Sequence, residues 1–238
     1  MMKGKVAYIT GGTKGIGLGV AEALLERGVH VAFSGRTKDT VKQVEKELNK
    51  KYDTEALGIV SDVTRAQDET QAIQQIVDRW GQVDIVLANA GVGHFAPIDE
   101  MKAEDWNQVI DTNLKGVFHT IKAAVEPLKN SKGYFMTLAS LAGTNFFANG
   151  AAYNASKFGV VGFTQAVMLD LRKYGIKTTT IMPGSVATYF NGHVPNEKDG
   201  WKIQPEDVGL MVVQLLEMDQ RTLPSKIEVR PTQPPSAQ

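Results

Sequence analysis

Tyr153 and Lys157 stand four positions apart in the stretch AYNASKFG, residues 152 to 159. A free phenol has a pKa near 10 and moves protons poorly at neutral pH, but a cation within about 4 to 6 Å favours its phenolate and lowers that value. Lys157 can supply the cation, because residues i and i+4 share one face of a helix. Tyr153 also falls in the expected first turn of its helix, where the positive end of the macrodipole acts in the same direction. The chemistry on offer is the gain and loss of a proton. Taken alone, the same pair describes a solvated helix face just as well, so its surroundings must decide.

A second constellation lies near the N-terminus. Gly11, Gly15 and Gly17 occur in TGGTKGIG, residues 10 to 17, between the apolar run KVAYIT and the helical stretch LGVAEALLERG. Glycines so placed allow a tight turn, close approach of a pyrophosphate to backbone N–H groups, and close packing of helix on strand. Glycine also serves ordinary turns, but between a strand and a helix this pattern reads as a dinucleotide cradle.

The elements that must position these residues follow from the rest of the chain. Short β-branched runs are expected as strands at 5–10, 29–34, 55–60, 83–88, 134–139, 177–182 and 225–230. Amphipathic stretches near 15–27, 38–50, 65–79, 103–129, 151–174 and 205–217 are expected as helices. That alternation is the signature of parallel βαβ units with right-handed crossovers. The expected fold is α/β and doubly wound, of Rossmann type, with a seven-stranded, mainly parallel sheet and helices on both faces. Ligands in such sheets sit beyond the carboxyl ends of the strands, so function is sought in the residues after each strand. Residues 1–230 read as one dinucleotide-binding catalytic domain, and the proline-rich 231–238 as a mobile tail.

Composition narrows the partners. The 238 residues carry 26 Lys+Arg against 26 Asp+Glu, so there is no charge excess of the kind that nucleic acid or an anionic membrane requires. No apolar run is long enough to span a bilayer, and the N-terminus lacks the apolar stretch of a signal peptide. Zero cysteines exclude thiolate chemistry and fit a reducing cytoplasm. The four histidines show no ligand spacing, and no metal site is expected.

The spacing GxxxGxG resembles that of the short-chain dehydrogenase/reductase family, single-domain branch, including its 3-oxoacyl reductase-like carbonyl reductases. Later motifs strengthen the resemblance: ANAG at 88–91, NLKG at 113–116, Ser140 thirteen positions before Tyr153, YxxxK at 153–157, and PGSVAT at 183–188. They cover roughly residues 5 to 190. The resemblance implies an enzyme that acts on CH–OH groups, or reduces carbonyls in reverse, with NAD(P). It further implies that Tyr153 passes a proton to or from the substrate oxygen and that Lys157 also holds the nicotinamide ribose. Ser140 would stabilise charge developing on that oxygen, and Asn113 would perturb its helix and position a water. By themselves Ser140 and Asn113 read as cap or turn residues.

The dinucleotide is expected to be NADP(H), with NAD(H) possible. After the second strand, SGRT at 34–37 offers Arg36 and no acid, which suits a ribose 2′-phosphate, and Lys14 adds a second cation. Arg36 alone equally reads as a surface-loop residue. Asp62 resembles the family's adenine contact and reads equally as a helix N-cap. By the same resemblance Thr13, Ile16, Val63, Asn89, Gly91, Pro183, Gly184, Val186 and Thr188 are expected to contact the cofactor. His94, Phe95, Phe147 and Tyr189, with Phe146, Phe190 and Trp201, follow strands where a pocket should open. They point to a mainly apolar carbonyl substrate, although core packing would account for many of them. Residues 189–204 resemble a short substrate lid. The chain end LPSKIEVRPTQPP departs from the oxoacyl reductases, which puts acyl-carrier substrates and tetramer contacts in doubt. The resemblance implies a homodimer or homotetramer. The competing readings are an NAD-dependent alcohol or sugar dehydrogenase and a dinucleotide-binding regulatory protein without turnover.

Overall fold

A computed structural model describes residues 2–233. Seven parallel strands run in the order β3-β2-β1-β4-β5-β6-β7, with β1 (Val6–Ile9), β2 (His30–Gly35), β3 (Ala56–Val60), β4 (Ile85–Ala88), β5 (Tyr134–Leu138), β6 (Lys177–Pro183) and β7 (Lys226–Val229). All seven expected strands are present and every pairing is parallel, so no strand reverses. The order reverses between β1 and β4, the point at which open α/β sheets leave a crevice.

Side chains alternate across the sheet. Ala7 and Ile9 face a core closed by α1 (Gly15–Glu26), α2 (Lys38–Lys51) and α7 (Pro205–Glu217). Val6 and Tyr8 face a second core closed by α3 (Ala66–Trp80), α5 (Gly116–Ser131) and α6 (Ala151–Leu171). Each fully buried side chain of this size contributes about 1.5–3 kcal/mol of transfer free energy, so two such layers fix the strand ends rigidly. Among the described residues no helix is long and apolar enough to cross a membrane.

The helix expected over 103–129 is interrupted. It forms α4 (Ala103–Ile110), then a wide π turn over Asp111–Lys115, then α5. The apolar pattern runs through the break unchanged, and the cause is tertiary: Asn113, inside the wide turn, bonds the loop after β4. The helix expected to reach 174 ends at Leu171 and tightens into a 3-10 turn closed by Gly175 in left-handed backbone. The expected lid, 189–204, contains two single 3-10 turns, Phe190–Gly192 and Glu197–Asp199. Of the expected proline-rich tail, Pro231 stands beside Gly184, and 234–238 lie outside the described residues.

Candidate active site

A cleft of about 1100 Å³ opens beyond the strand ends, and its wall includes residues that follow all seven strands. Every site residue singled out in the sequence lines it except Gly17, Asn113, Phe95 and Phe146.

One end is the glycine loop. Gly11 (φ +65°) and Gly15 (φ +57°) hold left-handed backbone, which side chains resist. A Cβ at Gly17 would lie 2.5 Å from Gly11 O and 2.6 Å from Asn89 Nδ2, so only glycine fits that approach. The loop is tied to β4: Asn89 Nδ2 donates to Thr10 O and Gly11 O, while Thr10 Oγ accepts from the Asn89 and Ala90 N–H groups. No described side chain caps α1, which leaves its first N–H groups facing the cleft for an anion. Thr188 covers Gly15. This is a cradle that any larger side chain would fill, and it fits the pyrophosphate of a dinucleotide.

Beyond the cradle, Arg36 follows β2. Among the described residues neither Arg36 nor Lys14 pairs with a carboxylate; Lys14 Nζ lies 5.8 Å from the centroid of the Tyr189 ring. Asp62 lines the wall but caps no helix. Its carboxylate accepts from Thr64 N and Oγ1, an Asx turn, whereas α3 begins four residues later.

The other end gathers the catalytic candidates. Ser140 follows β5, and its hydroxyl oxygen accepts from Ala142 N at 3.1 Å, so it is a cap and a cleft residue at once. Tyr153 is the third residue of α6, and Lys157 lies one turn on. Lys157 is buried, donates to Leu138 O at 2.8 Å, and stands 5.6 Å from the centroid of the Tyr153 ring.

The electrostatics depart from expectation. Burial raises the Tyr153 phenol above its ordinary value, with the Ser140 hydroxyl opposing, and burial pushes the Lys157 ammonium down to about 8. A phenol lowered by its lysine is therefore not what the geometry gives. Desolvation penalises both charged forms, and the ammonium is turned toward a backbone carbonyl. A phenol so held stays protonated at neutral pH, the form that can donate to an oxygen. Beside it, an ammonium near 8 can lose and regain its proton close to neutral pH.

Asn113 is buried. Its Oδ1 accepts from Val92 N, and its Nδ2 donates to Val92 O and to Ser156 Oγ, which in turn donates to Tyr153 O. The expected disturbance of its helix is present, and the side chain joins the loop after β4 to α6. Ser156 is therefore structural, and Ala155 beside it is exposed. Sequence reasoning missed Asn154, which donates to Ala142 O and Asn145 O and shapes the wall beside Ser140; its place next to Tyr153 was the available signal.

Aromatic rings close the substrate end. Phe95 packs edge-on against Tyr153 at 5.5 Å, and Phe190 reaches Tyr153 at 5.5 Å from the segment after β6. Phe95 is thus a support behind the wall, whereas Phe147, Tyr189 and Trp201 line it. Phe146 is outside the cleft and 85% exposed. His94 lines the rim, bound to Gln108. Among the described residues no cluster of potential metal ligands occurs.

The short chain dehydrogenase family model matches residues 5–199. The chain belongs to that family. It is 30% identical over 235 residues to an uncharacterised oxidoreductase of Staphylococcus saprophyticus, covering 97% of this chain and 98% of the relative. A Staphylococcus aureus oxidoreductase is 32% identical over 229 residues, covering 95% and 97%. Among solved structures, an alcohol dehydrogenase of Thermococcus sibiricus complexed with 5-hydroxy-NADP superposes with a TM-score of 0.91 at 28% identity, covering 98% of this chain and 99% of that one. A metagenomic short-chain oxidoreductase in complex with NADP superposes at 0.85 with 29% identity, covering 98% and 99%. The protein is accordingly an oxidoreductase of the short-chain dehydrogenase family with a cleft fitted to a nicotinamide dinucleotide.

Proposed function

We propose that the protein is an NADPH-dependent carbonyl reductase, reversible as an alcohol dehydrogenase, acting on a mainly apolar ketone or aldehyde. One observation carries the reading: Ser140, Tyr153 and Lys157 converge at one end of a single cleft whose other end is the glycine cradle. The nicotinamide, when bound, supplies hydride transfer chemistry. Ser140 and Tyr153 hold the substrate oxygen, and Tyr153 O–H donates the proton that the oxygen gains. Lys157, one helical turn away, renews that proton and offers its ammonium to the nicotinamide ribose. Phe95 and Phe190 exclude water around the phenol.

Preference for NADP(H) rests on Arg36 and Lys14, cations at the cleft with no carboxylate partner among the described residues, and on NADP ligands in two solved relatives. The test is NADPH and NADH oxidation against aldehydes, diketones, quinones, sugars and acyl thioesters, run beside Arg36→Asp. The wild type is expected to prefer NADPH, and the variant to lose about tenfold or more of the NADPH/NADH ratio in kcat/KM, since a charge-assisted phosphate contact becomes a repulsion. Equal ratios in the two proteins would contradict the assignment of Arg36, and no turnover of any carbonyl would contradict the enzyme.

We further propose a homodimer or homotetramer in a reducing cytoplasm, without nucleic-acid or membrane partners. Phe118 on α5 and Phe158 and Leu169 on α6 are about half exposed on the two long helices, apolar area that a second copy would cover. Light scattering at micromolar concentration is expected to give at least a dimer, and a monomer mass overturns this.

A further inference from the structure

Glu69 occupies a polar stretch, TRAQDETQ, yet is fully buried in the first turn of α3. Its Oε1 accepts from Ser61 Oγ at 2.7 Å and from Tyr8 Oη at 2.9 Å, and its Oε2 accepts from Thr120 Oγ1 at 2.8 Å. Tyr8 Oη also lies 3.2 Å from Ser34 Oγ. Ser34 and Ser61 are both cleft residues, on either side of Arg36 in the chain and at the ends of β2 and β3. The carboxylate thus stands one hydrogen bond behind the part of the wall that would meet the adenosine ribose.

A buried carboxylate there needs a reason, because an apolar side chain would satisfy the core without the desolvation cost. We infer that Glu69 is a specificity-determining positioning residue, which weakens the cleft's hold on a ribose 2′-phosphate relative to a 2′-hydroxyl. The inference rests on the proposed function, since it presumes that this end receives the adenosine ribose.

Two effects act in the same direction. The ionised carboxylate sets a negative charge in a low-dielectric core close to where a phosphate dianion would sit, opposing Arg36 and Lys14. It also takes the Ser61 proton, so the hydroxyl of this wall residue is turned inward and has no proton left to donate to a phosphate oxygen. Tyr8 from β1 and His119 from α5 are the titratable side chains facing Glu69, and the remaining neighbours are hydroxyls. Burial raises the Glu69 carboxyl, with Ser61, Thr120 and Tyr8 opposing. Protonation removes the charge, so preference for the 2′-phosphate should rise as pH falls through the carboxyl's titration.

Glu69→Gln keeps the shape. Its oxygen still accepts from Tyr8 and Ser61, and its amide donates to Thr120, whose hydroxyl has Gly116 O as a second acceptor. Fluorescence titration at pH 8 is expected to show NADPH binding to the variant about three- to tenfold tighter, with NADH nearly unchanged. Tyr8→Phe removes one of the donors that keep the carboxylate ionised, and should move the ratio the same way by less. A ratio in Glu69→Gln equal to that of the wild type overturns the inference, and should that variant fail to fold, an unmoved ratio in Tyr8→Phe does so instead. If the wild type binds both dinucleotides and responds to Arg36→Asp while both variants leave the ratio unmoved, this inference falls alone. A wild type that binds neither overturns the proposed function with it.

Discussion

Tyr153→Phe is expected to lower kcat for carbonyl reduction by at least about 10³-fold while leaving the NADPH dissociation constant within about twofold. The size follows from general acid catalysis, which contributes about 10²–10⁴-fold when a positioned group supplies the proton. The phenylalanine keeps the ring contacts to Phe95 and Phe190, so the fold and the shape of the pocket survive. What is lost is one hydroxyl, held protonated by its burial and placed beside Ser140. Steady-state kinetics with fluorescence titration separates the two effects, and substantial residual turnover would sink the assignment. A raised phenol also makes this the donor side of the chemistry. Reduction should hold its rate through neutral pH, whereas oxidation, which needs the phenolate, should gain with rising pH.

How much of this was legible in the sequence depended on where the cause lay. The glycine cradle was legible because its constraint is local, with positive φ at Gly11 and Gly15 and a turn between an apolar strand and an amphipathic helix. Ser140, Tyr153 and Lys157 were legible through their spacing together with that cradle. The interruption at Asp111–Lys115 was legible only through the family resemblance, which had Asn113 perturb its helix; the bonds that stabilise it run from Asn113 to Val92, 21 positions away, and leave no trace in apolar periodicity. Glu69 fell only within the amphipathic stretch expected as a helix near 65–79, since nothing local tells a solvated glutamate from one that meets Tyr8 from 61 positions away. The sign of the Tyr153 shift failed for a related reason. The i,i+4 rule placed the lysine on the correct face, but burial of both groups, a property of the whole cleft, outweighs their pairing.

That burial sets up the second large effect, at Lys157. Lys157→Met should lower kcat by about 10³-fold, within the 10²–10⁴-fold that a positioned proton-transfer group contributes, and yet should not destabilise the protein at pH 7. The ammonium is pushed down from 10.5 to about 8, so the folded state disfavours the charged form. Below pH 8 the lysine is protonated in both states, and the penalty, roughly 3 kcal/mol, is present in full; only between about 8 and 10.5 does the unfolded chain bind more protons. It fades as pH rises from 8 toward 10.5, so this group makes the wild type gain stability across that window. Methionine removes the penalty and leaves Leu138 O without its donor, at a cost of about 1–3 kcal/mol. The net change is between zero and about 2 kcal/mol of stabilisation at pH 7, read by urea unfolding. Between pH 8 and 10 the variant should lack the rise that the wild type shows. A variant that loses activity and stability together would mean that Lys157 is chiefly a structural tie to β5, and parallel pH–stability curves would mean that its ammonium is not desolvated in the fold.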